Sequence, residues 1–166
     1  GDCIPCRAGY YCPNEGQNFV PSDDYRCDDS GYFCFTNSYA FRPVDDGSAN
    51  FGECPVGNYC EFGLKLECAD GFYTDRTGSS ECSECNPGFI CAAGSSSPND
   101  EKCPTGYFCE GGTSQSNVEP CPKGTYDRTD ATSTSGLADR SECSECPFGK
   151  YCPWEANDID TVEMCD

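Results

Sequence analysis

Histidine is absent from this 166-residue chain, and basic residues are scarce: ten Lys and Arg stand against 29 Asp and Glu, for a formal net charge of −19. Without histidine, neither a Ser-His nor a Cys-His nucleophile can be assembled, so we expect no enzyme. The basic residues are scattered from Arg7 to Lys150, which argues against the basic stripe that binds nucleic acid. The composition favours an acidic, non-catalytic protein.

Long apolar runs are also missing. No stretch approaches the roughly 20 residues of a membrane span, so we expect no span in this chain. The sequence opens on Gly1 without a methionine or a signal peptide, which predicts a processed protein or a segment of a longer one. Only 36% of the residues are hydrophobic, whereas 18 are Gly and 12 are Pro. Such a chain cannot offset its ordering entropy with one large core.

Cysteine is what the chain has in abundance, with 18 residues. This exceeds the roughly 8–10% at which a disulfide scaffold becomes the default interpretation. Thiols stay reduced in the cytosol, so we expect an extracellular or cell-surface protein. The even number allows nine bridges, each contributing typically about 2–4 kcal/mol.

The cysteines follow a repeated pattern. Three stretches share Cys-x-x-Cys-x-x-Gly-x-x-Cys, and they begin at Cys3, Cys82 and Cys143. Cys54 and Cys103 each open Cys-Pro-x-Gly-x-aromatic-Cys, the motif from Cys27 to Cys34 has one extra residue, and Cys68 and Cys121 precede Gly-x-Tyr. The same order of six cysteines occurs twice, from Cys54 to Cys91 and from Cys103 to Cys152. This order predicts tandem modules.

The predicted fold is small, disulfide-rich and mostly irregular, an elongated array of cysteine-rich modules with short β-hairpins and no large hydrophobic core. We divide it into a variant module or modules at 1–53, a repeat at 54–102, and a repeat at 103–166 that continues towards a following unit. The glycine after Cys-x-x permits positive φ in a tight turn. Phe72–Tyr73 and Thr125–Tyr126 are predicted strands of two hairpins.

Cysteine connectivity cannot be deduced from sequence alone, and chain geometry supplies only a hypothesis. In it, hairpin arms are joined by Cys68–Cys82 and Cys121–Cys143, and Cys54 closes a short loop with Cys60. The other expected pairs cross to following segments: Cys6–Cys27, Cys12–Cys34, Cys85–Cys103, Cys91–Cys109 and Cys146–Cys165. Cys3 and Cys152 remain as candidates for bonds between units.

Other uses of the cysteines are less favoured. Structural zinc uses Cys-x-x-Cys pairs, but a third cysteine follows each pair here and histidine is absent. Thioredoxin-like chemistry needs a βαβ context, which the sequence does not predict. We therefore assign the cysteines to disulfides.

Two kinds of ligand remain open from the residues. Acidic pairs such as Asp23–Asp24, Asp28–Asp29 and Asp45–Asp46 could bind calcium between modules. None has the spacing of a dedicated calcium loop, and we favour solubility as the reason for the acidic surplus. O-glycans could attach in the small-residue loop formed by Thr132, Ser133, Thr134 and Ser135. No other cofactor is expected.

The segments CPVGNYC, CPTGYFC, CSECNPGFIC, CSECPFGKYC and CPKGTY resemble ephrin-receptor-like cysteine-rich repeats. The layout is also similar to tumour-necrosis-factor-receptor and EGF-like modules. The resemblance covers 54–152 most clearly, and residues 13–53 depart from it. It implies tandem extracellular modules, and it leaves the function open because fold does not dictate function.

Two functions fit these observations. The first is a structural building block of an extracellular fibre, appendage or surface coat, whose partners are other copies of the chain or a longer parent chain. The second is a ligand-binding or adhesion segment of a receptor ectodomain. In that case aromatic residues such as Phe19, Phe41, Phe51 and Trp154 could anchor a protein ligand. The same aromatic residues could instead fill the cores of modules.

Overall fold

The computed structural model describes residues 6–12, 25–27, 31–34, 51–129, 133–158, 160 and 162–164. Within these residues the regular structure consists of short strands and 3-10 turns, one of which spans Arg140–Glu142. The fourteen strands have these bounds: β1 Tyr32–Cys34, β2 Phe51–Glu53, β3 Asn58–Glu61, β4 Leu64–Glu67, β5 Phe72–Tyr73, β6 Ser83–Glu84, β7 Phe89–Ile90, β8 Glu101–Lys102, β9 Tyr107–Phe108, β10 Glu119–Pro120, β11 Thr125–Tyr126, β12 Ser144–Glu145, β13 Lys150–Tyr151 and β14 Glu163–Met164.

The strands pair two by two in chain order, β1 with β2, β3 with β4 and so on to β13 with β14, in seven two-stranded antiparallel sheets. In the β5–β6 hairpin, Phe72 faces Glu84, and in the β11–β12 hairpin, Thr125 faces Glu145. The predicted strands at Phe72–Tyr73 and Thr125–Tyr126 are therefore confirmed, and so is the small, disulfide-rich, hairpin-rich fold.

Among the described residues one structural element recurs eight times, and we call it the disulfide turn. Each disulfide turn starts at a cysteine, contains a glycine at positive φ, and is closed by a disulfide from its first cysteine. The turns are numbered 1 to 8 by their first cysteines, which are Cys6, Cys27, Cys54, Cys68, Cys85, Cys103, Cys121 and Cys146. The turn glycines, in the same order, are Gly9, Gly31, Gly57, Gly71, Gly88, Gly106, Gly124 and Gly149.

Turn 6 illustrates the local geometry. The N–H of Tyr107 donates to the carbonyl of Pro104 at 3.1 Å, which closes a four-residue turn with Gly106 in its third position. The φ of Gly106 is 85°, the value that a type II turn requires there and that favours glycine. The chain reverses, and the Cα of Cys109 lies 5.8 Å from that of Cys103, within disulfide range.

The chain divides into two compact units, one formed by residues 1–68 and 74–82 and the other by residues 69–73 and 83–166. The module boundaries after residues 53 and 102 remain a sequence-based division. In the first unit, the Arg26 guanidinium lies over the rings of Tyr10 and Phe62, at 5.7 and 5.2 Å from their centroids. Cation–π contacts and disulfides thus take the place of a large apolar core there.

The second unit buries its apolar side chains in two small clusters around disulfides. Phe108 and Leu137 pack with Cys121 and Cys143. Ile90 packs with Cys103 and Cys109, and Tyr107 and Val118 lie against this cluster. Phe108, two residues after the glycine of turn 6, therefore packs on the disulfide of turn 7, and Ile90, two residues after the glycine of turn 5, packs on that of turn 6.

Candidate functional site

Eight disulfides join cysteines of the described residues. Three of the predicted pairs are present: Cys54–Cys60, Cys68–Cys82 and Cys121–Cys143. Because all eight involve sulfur atoms bonded to one another, these cysteines are not free for zinc or thiol chemistry. A chain with this many disulfides belongs to an oxidising, extracellular or secreted environment.

The predicted pairs that cross between segments are wrong. Instead of Cys6–Cys27 and Cys12–Cys34, the structure has Cys6–Cys12 and Cys27–Cys34. Instead of Cys85–Cys103 and Cys91–Cys109, it has Cys85–Cys91 and Cys103–Cys109. The reason is the turn glycine, which reverses the chain so tightly that the sixth residue after the first cysteine, or the seventh in the turn that starts at Cys27, comes within bonding distance of it.

The expectation for the last cysteines is corrected in the same way. Cys146 is bonded to Cys152 rather than to Cys165, so Cys152 is not available for a bond between units. Cys3 and Cys165 lie outside the described residues.

Backbone hydrogen bonds connect each disulfide turn to the next. The N–H of the first cysteine donates to the carbonyl of the preceding turn glycine at 2.7 to 3.0 Å. In the first unit these bonds run from Cys27 to Gly9, from Cys54 to Gly31 and from Cys68 to Gly57. In the second unit they run from Cys85 to Gly71, from Cys103 to Gly88, from Cys121 to Gly106 and from Cys146 to Gly124. The turns therefore form a stack with constant polarity inside each unit.

A second contact reaches from several of the turns to the turn after next. A Cβ on Gly106 would lie 2.3 Å from the carbonyl oxygen of Ala156, which follows turn 8. The N–H of Ala156 meanwhile donates to the carbonyl of Cys121 in turn 7, at 2.9 Å. Gly112 covers Gly71 in the same way, and its N–H donates to Cys85. We call residues such as Gly112 and Ala156 covering residues.

Turns 4 and 7 have longer loops. In both, the sixth residue after the first cysteine is not the second cysteine of the disulfide. In turn 4 this residue is Thr74, whose carbonyl accepts the N–H of Gly57 at 2.9 Å. In turn 7 it is Asp127, which is fully buried and whose carboxylate accepts the N–H of Gly106 at 2.9 Å and that of Thr129 at 2.7 Å. The sixth residue thus maintains the stack where the second cysteine lies further downstream, through its backbone carbonyl in turn 4 and through its carboxylate in turn 7.

The residue after the covering residue Ala156 is Asn157, whose side-chain amide is buried. Asn157 is 1% exposed, and its side-chain N–H groups donate to the carbonyls of Thr125 and Trp154. The backbone carbonyl of Asn157 accepts the N–H of Asp127 at 2.8 Å. These bonds fix the segment after turn 8 on turn 7.

The second unit contains a cavity of about 550 Å³. Its charged lining consists of Glu101, Lys102, Asp158 and Asp160. No group of three or more Cys, Asp or Glu side chains arranged to hold a metal ion occurs among the described residues. The acidic pairs at Asp23, Asp28 and Asp45 lie outside them.

The glycan candidates are only partly described. Thr134 is exposed, Ser133 and Ser135 are half-buried, and Thr132 lies outside the described residues. Nearby, Asp139 accepts hydrogen bonds from the side chain and backbone of Ser141, which lower the pKa of its carboxyl below the usual value. These exposed groups mark the loop of turn 7 as a polar surface.

Large apolar side chains are exposed around turn 8. Phe148 and Trp154 are 109% and 65% exposed, and Met164 is exposed as well. Tyr151, which donates to a carboxylate oxygen of Glu163, is 43% exposed. Of the other predicted anchors, Phe19, Phe41 and the side chain of Phe51 lie outside the described residues. Trp154 is therefore the one predicted anchor that the structure places on the surface.

No helix among the described residues is long and apolar enough to cross a bilayer. Comparison with known proteins finds no matching family model and no similar curated protein. The described residues form a disulfide-rich fold of stacked turns, which is typical of an extracellular repeat module.

Proposed function

We propose that this chain is a structural building block of an extracellular fibre, appendage or surface coat, without catalytic activity. The observation that carries the proposal is the stacking of disulfide turns through backbone groups. The same cysteine-to-glycine hydrogen bond recurs seven times within the two units. A contact made by main-chain atoms accepts any sequence that keeps the cysteine and the glycine, so further turns can extend such a stack.

The surface chemistry of the chain supports this role. Its net charge of −19 keeps an exposed repeat protein hydrated. Disulfides replace an extensive core, so that stability does not depend on a large globular unit. The ephrin-receptor-like resemblance supports the same class of tandem extracellular protein.

Native material provides the test. Its mass would be compared on non-reducing and reducing gels, and the disulfides would be mapped by mass spectrometry, with attention to Cys3 and Cys165. We expect assembled, multimeric material outside the cell and the eight internal disulfides described above. Native material that is monomeric at high concentration would contradict the structural role.

The second candidate is a ligand-binding segment of a receptor ectodomain. The observation that favours it is the exposure of Phe148 and Trp154, because aromatic side chains of this kind anchor protein partners. A monomeric native chain that co-purifies with one stoichiometric protein ligand would support this alternative over the structural role.

A further inference from the structure

The β3–β4 hairpin of the first unit ends in a strand whose four residues are all exposed. β4 has the sequence Leu-Lys-Leu-Glu, and its two apolar residues, Leu64 and Leu66, are 43% and 36% exposed. Among the described strands only β3 and β4 have four residues, whereas the others have two or three. The two longest strands of the described structure therefore lie side by side, and each has one outer edge.

The outer edge of β3 is occupied, and that of β4 is open. The N–H of Cys60 on β3 donates to the carbonyl of Ser79 at 2.8 Å, away from β4. Residues of an antiparallel pair alternate between bonding to each other and bonding outward. Because Lys65 faces Cys60, its main-chain groups point outward, and so do those of Glu67 two residues on. No group of the described residues bonds to them, and an edge of this kind is a template for another strand.

The side chains on this edge are complementary to a second copy of the same edge. Two antiparallel β4 strands related by a two-fold axis at Leu66 would place Lys65 of each copy directly opposite Glu67 of the other. Since both residues bond outward, each Lys65–Glu67 pair would exchange both of its main-chain hydrogen bonds. Among the described residues neither side chain has an oppositely charged partner. The edge therefore presents a donor, an acceptor and a charge for every one that it would meet.

The charges also select this register over its neighbours. An axis at Lys65 would place two lysines opposite one another, and an axis at Glu67 would place two glutamates opposite one another. Opposite charges directly across a strand pair stabilise it, and like charges destabilise it. With the axis at Leu66, the two Leu66 side chains meet on the other face, and Leu64 of each copy lies diagonal to them. The sequence of β4 thus fits one antiparallel register of two identical strands.

We infer that the free edge of β4 pairs with β4 of a second copy of the chain, which joins two hairpins into one four-stranded antiparallel sheet. The contact is isologous, because both copies contribute the same residues, and it closes at two chains. The inference goes beyond the proposed structural function and does not depend on it. A two-fold contact makes a dimer, whereas a fibre needs a further contact between dimers.

Charge determines the conditions under which the dimer can be observed. Two copies that each carry −19 repel one another, and salt reduces this repulsion. At about 0.15 M salt the screening length is roughly 8 Å. Salt at this concentration weakens the repulsion between distant carboxylates more than the attraction between Lys65 and Glu67 in contact, so we expect dimers to form there.

The test uses the whole oxidised chain in sedimentation equilibrium, with amide hydrogen exchange measured by NMR. As the concentration rises to about 1 mM, we expect dimers to form and exchange to slow at Lys65 and Glu67. The N–H groups of Leu64 and Leu66 point into the hairpin, so their exchange is expected not to depend on concentration. A chain that stays monomeric up to about 1 mM, the dissociation constant of a very weak complex, overturns the inference.

Charge reversal locates the contact. Lys65→Glu would place glutamates opposite one another and Glu67→Lys would place lysines opposite one another, so we expect each variant alone to dimerise roughly tenfold more weakly or worse. An equimolar mixture of the two variants joins a carboxylate to an ammonium group in every pair, and we expect it to recover the native dimer. Lys65→Glu also removes the contact of the ammonium with the Phe33 ring, at 5.8 Å. Recovery in the mixture, rather than loss alone, is therefore the decisive result.

Lys102→Glu and Glu101→Lys are the matched controls. They make the same charge changes on β8, where both residues are exposed, and we expect dimerisation to stay within about twofold of the native chain. If these controls weaken dimerisation as much as the β4 variants do, net charge governs association and the inference fails. It also fails if the mixture of Lys65→Glu and Glu67→Lys does not recover the dimer.

Two further outcomes identify other occupants of the edge. Exchange at Lys65 and Glu67 that is slow at every concentration would mean that another segment of the same chain covers β4, and this overturns the inference. A dimer that forms without slowing exchange at Lys65 and Glu67 uses another face and overturns it as well. Neither outcome changes the multimeric native material that the structural function predicts, so the two proposals fail separately.

Discussion

Turns 6 and 7 have nearly the same backbone but different surroundings. Gly106 and Gly124 have φ of 85° and 84°, and each accepts a hydrogen bond from the next first cysteine. Gly106 is covered by Ala156, whereas Gly124 has open space beside it. Turn 6 is closed by Cys109 at the sixth place, whereas turn 7 has Asp127 there and a loop of 22 residues to Cys143. The comparison separates what the turn itself requires, a glycine at positive φ, from what stacking requires, space beside that glycine for a covering residue.

The largest expected difference between the two turns comes from adding a methyl group to each glycine. Gly106→Ala incurs about 1–2 kcal/mol for left-handed φ and about 1–3 kcal/mol for overpacking against Ala156, so we expect a loss of about 3–4 kcal/mol. Gly124→Ala incurs only the φ cost, about 1–2 kcal/mol. Urea unfolding with disulfides intact, at a concentration where the chain is monomeric, measures both. Equal losses would mean that the close approach of Ala156 has no energetic weight.

Removing one disulfide from each turn gives the next largest effect. Cys121→Ala with Cys143→Ala opens a 22-residue loop, and Cys103→Ala with Cys109→Ala opens a six-residue loop. The loop-entropy relation gives about 3 kcal/mol for the first and about 2 kcal/mol for the second. Calorimetry on the two double variants tests the order of these losses. A larger loss at turn 6 would show that burial of Cys109, rather than loop length, determines the contribution.

The role of Asp127 distinguishes the two turns further. Asp127→Ala leaves the N–H groups of Gly106 and Thr129 without their acceptor, and a buried unsatisfied donor costs about 1–3 kcal/mol. We expect a loss of about 2–3 kcal/mol in chemical denaturation. Thr74→Ala is the control, because the backbone carbonyl of Thr74 accepts the N–H of Gly57 and its side chain makes one neutral hydrogen bond, to the carbonyl of Asn58 at 3.3 Å; we expect a loss of only about 1 kcal/mol. A loss at Thr74 as large as that at Asp127 would contradict this assignment.

The smallest effect concerns the residue that covers turn 6. Ala156 has φ of 57°, which costs an alanine about 1–2 kcal/mol. Ala156→Gly removes this cost but adds backbone entropy to the unfolded chain, about 0.5–1 kcal/mol. We expect a net gain of about 0.5 kcal/mol, measured as a raised melting temperature. Gly112→Ala, at the equivalent covering place, is expected to lower it, and the same sign for both variants would refute the explanation.

Much of the fold could be predicted from the sequence. The count of cysteines, the glycine after Cys-x-x and the apolar pair Phe72–Tyr73 are local signals, and the structure confirms the turns and hairpins they predict. The pairing of Cys85 and Cys103 was wrong because the prediction treated the motifs as different types. Aligning all of them on the turn glycine would have placed Cys91 and Cys109 at the sixth position, and Thr74 and Asp127 with them.

The stacking contact is harder to foresee from the sequence. It joins the main-chain atoms of Cys121 and Gly106, and main-chain atoms are common to every residue. The sequence identifies the covering residue only weakly, because Gly112 and Ala156 occupy equivalent positions but are different residue types. Phe148 is exposed in the described structure, and no pattern of apolar periodicity predicts that.

The unequal loops also determine how far the chain can lengthen under tension. The residues enclosed by an intact disulfide do not extend under a pulling force, because the disulfide itself carries the force. At about 3.5 Å per extended residue, reduction of Cys121–Cys143 would release roughly 70 Å of chain, against roughly 15 Å for Cys103–Cys109. In a chain pulled from both ends, most of the extensibility that reduction can release is therefore concentrated in turns 7 and 4, and the six-residue turns remain nearly inextensible links.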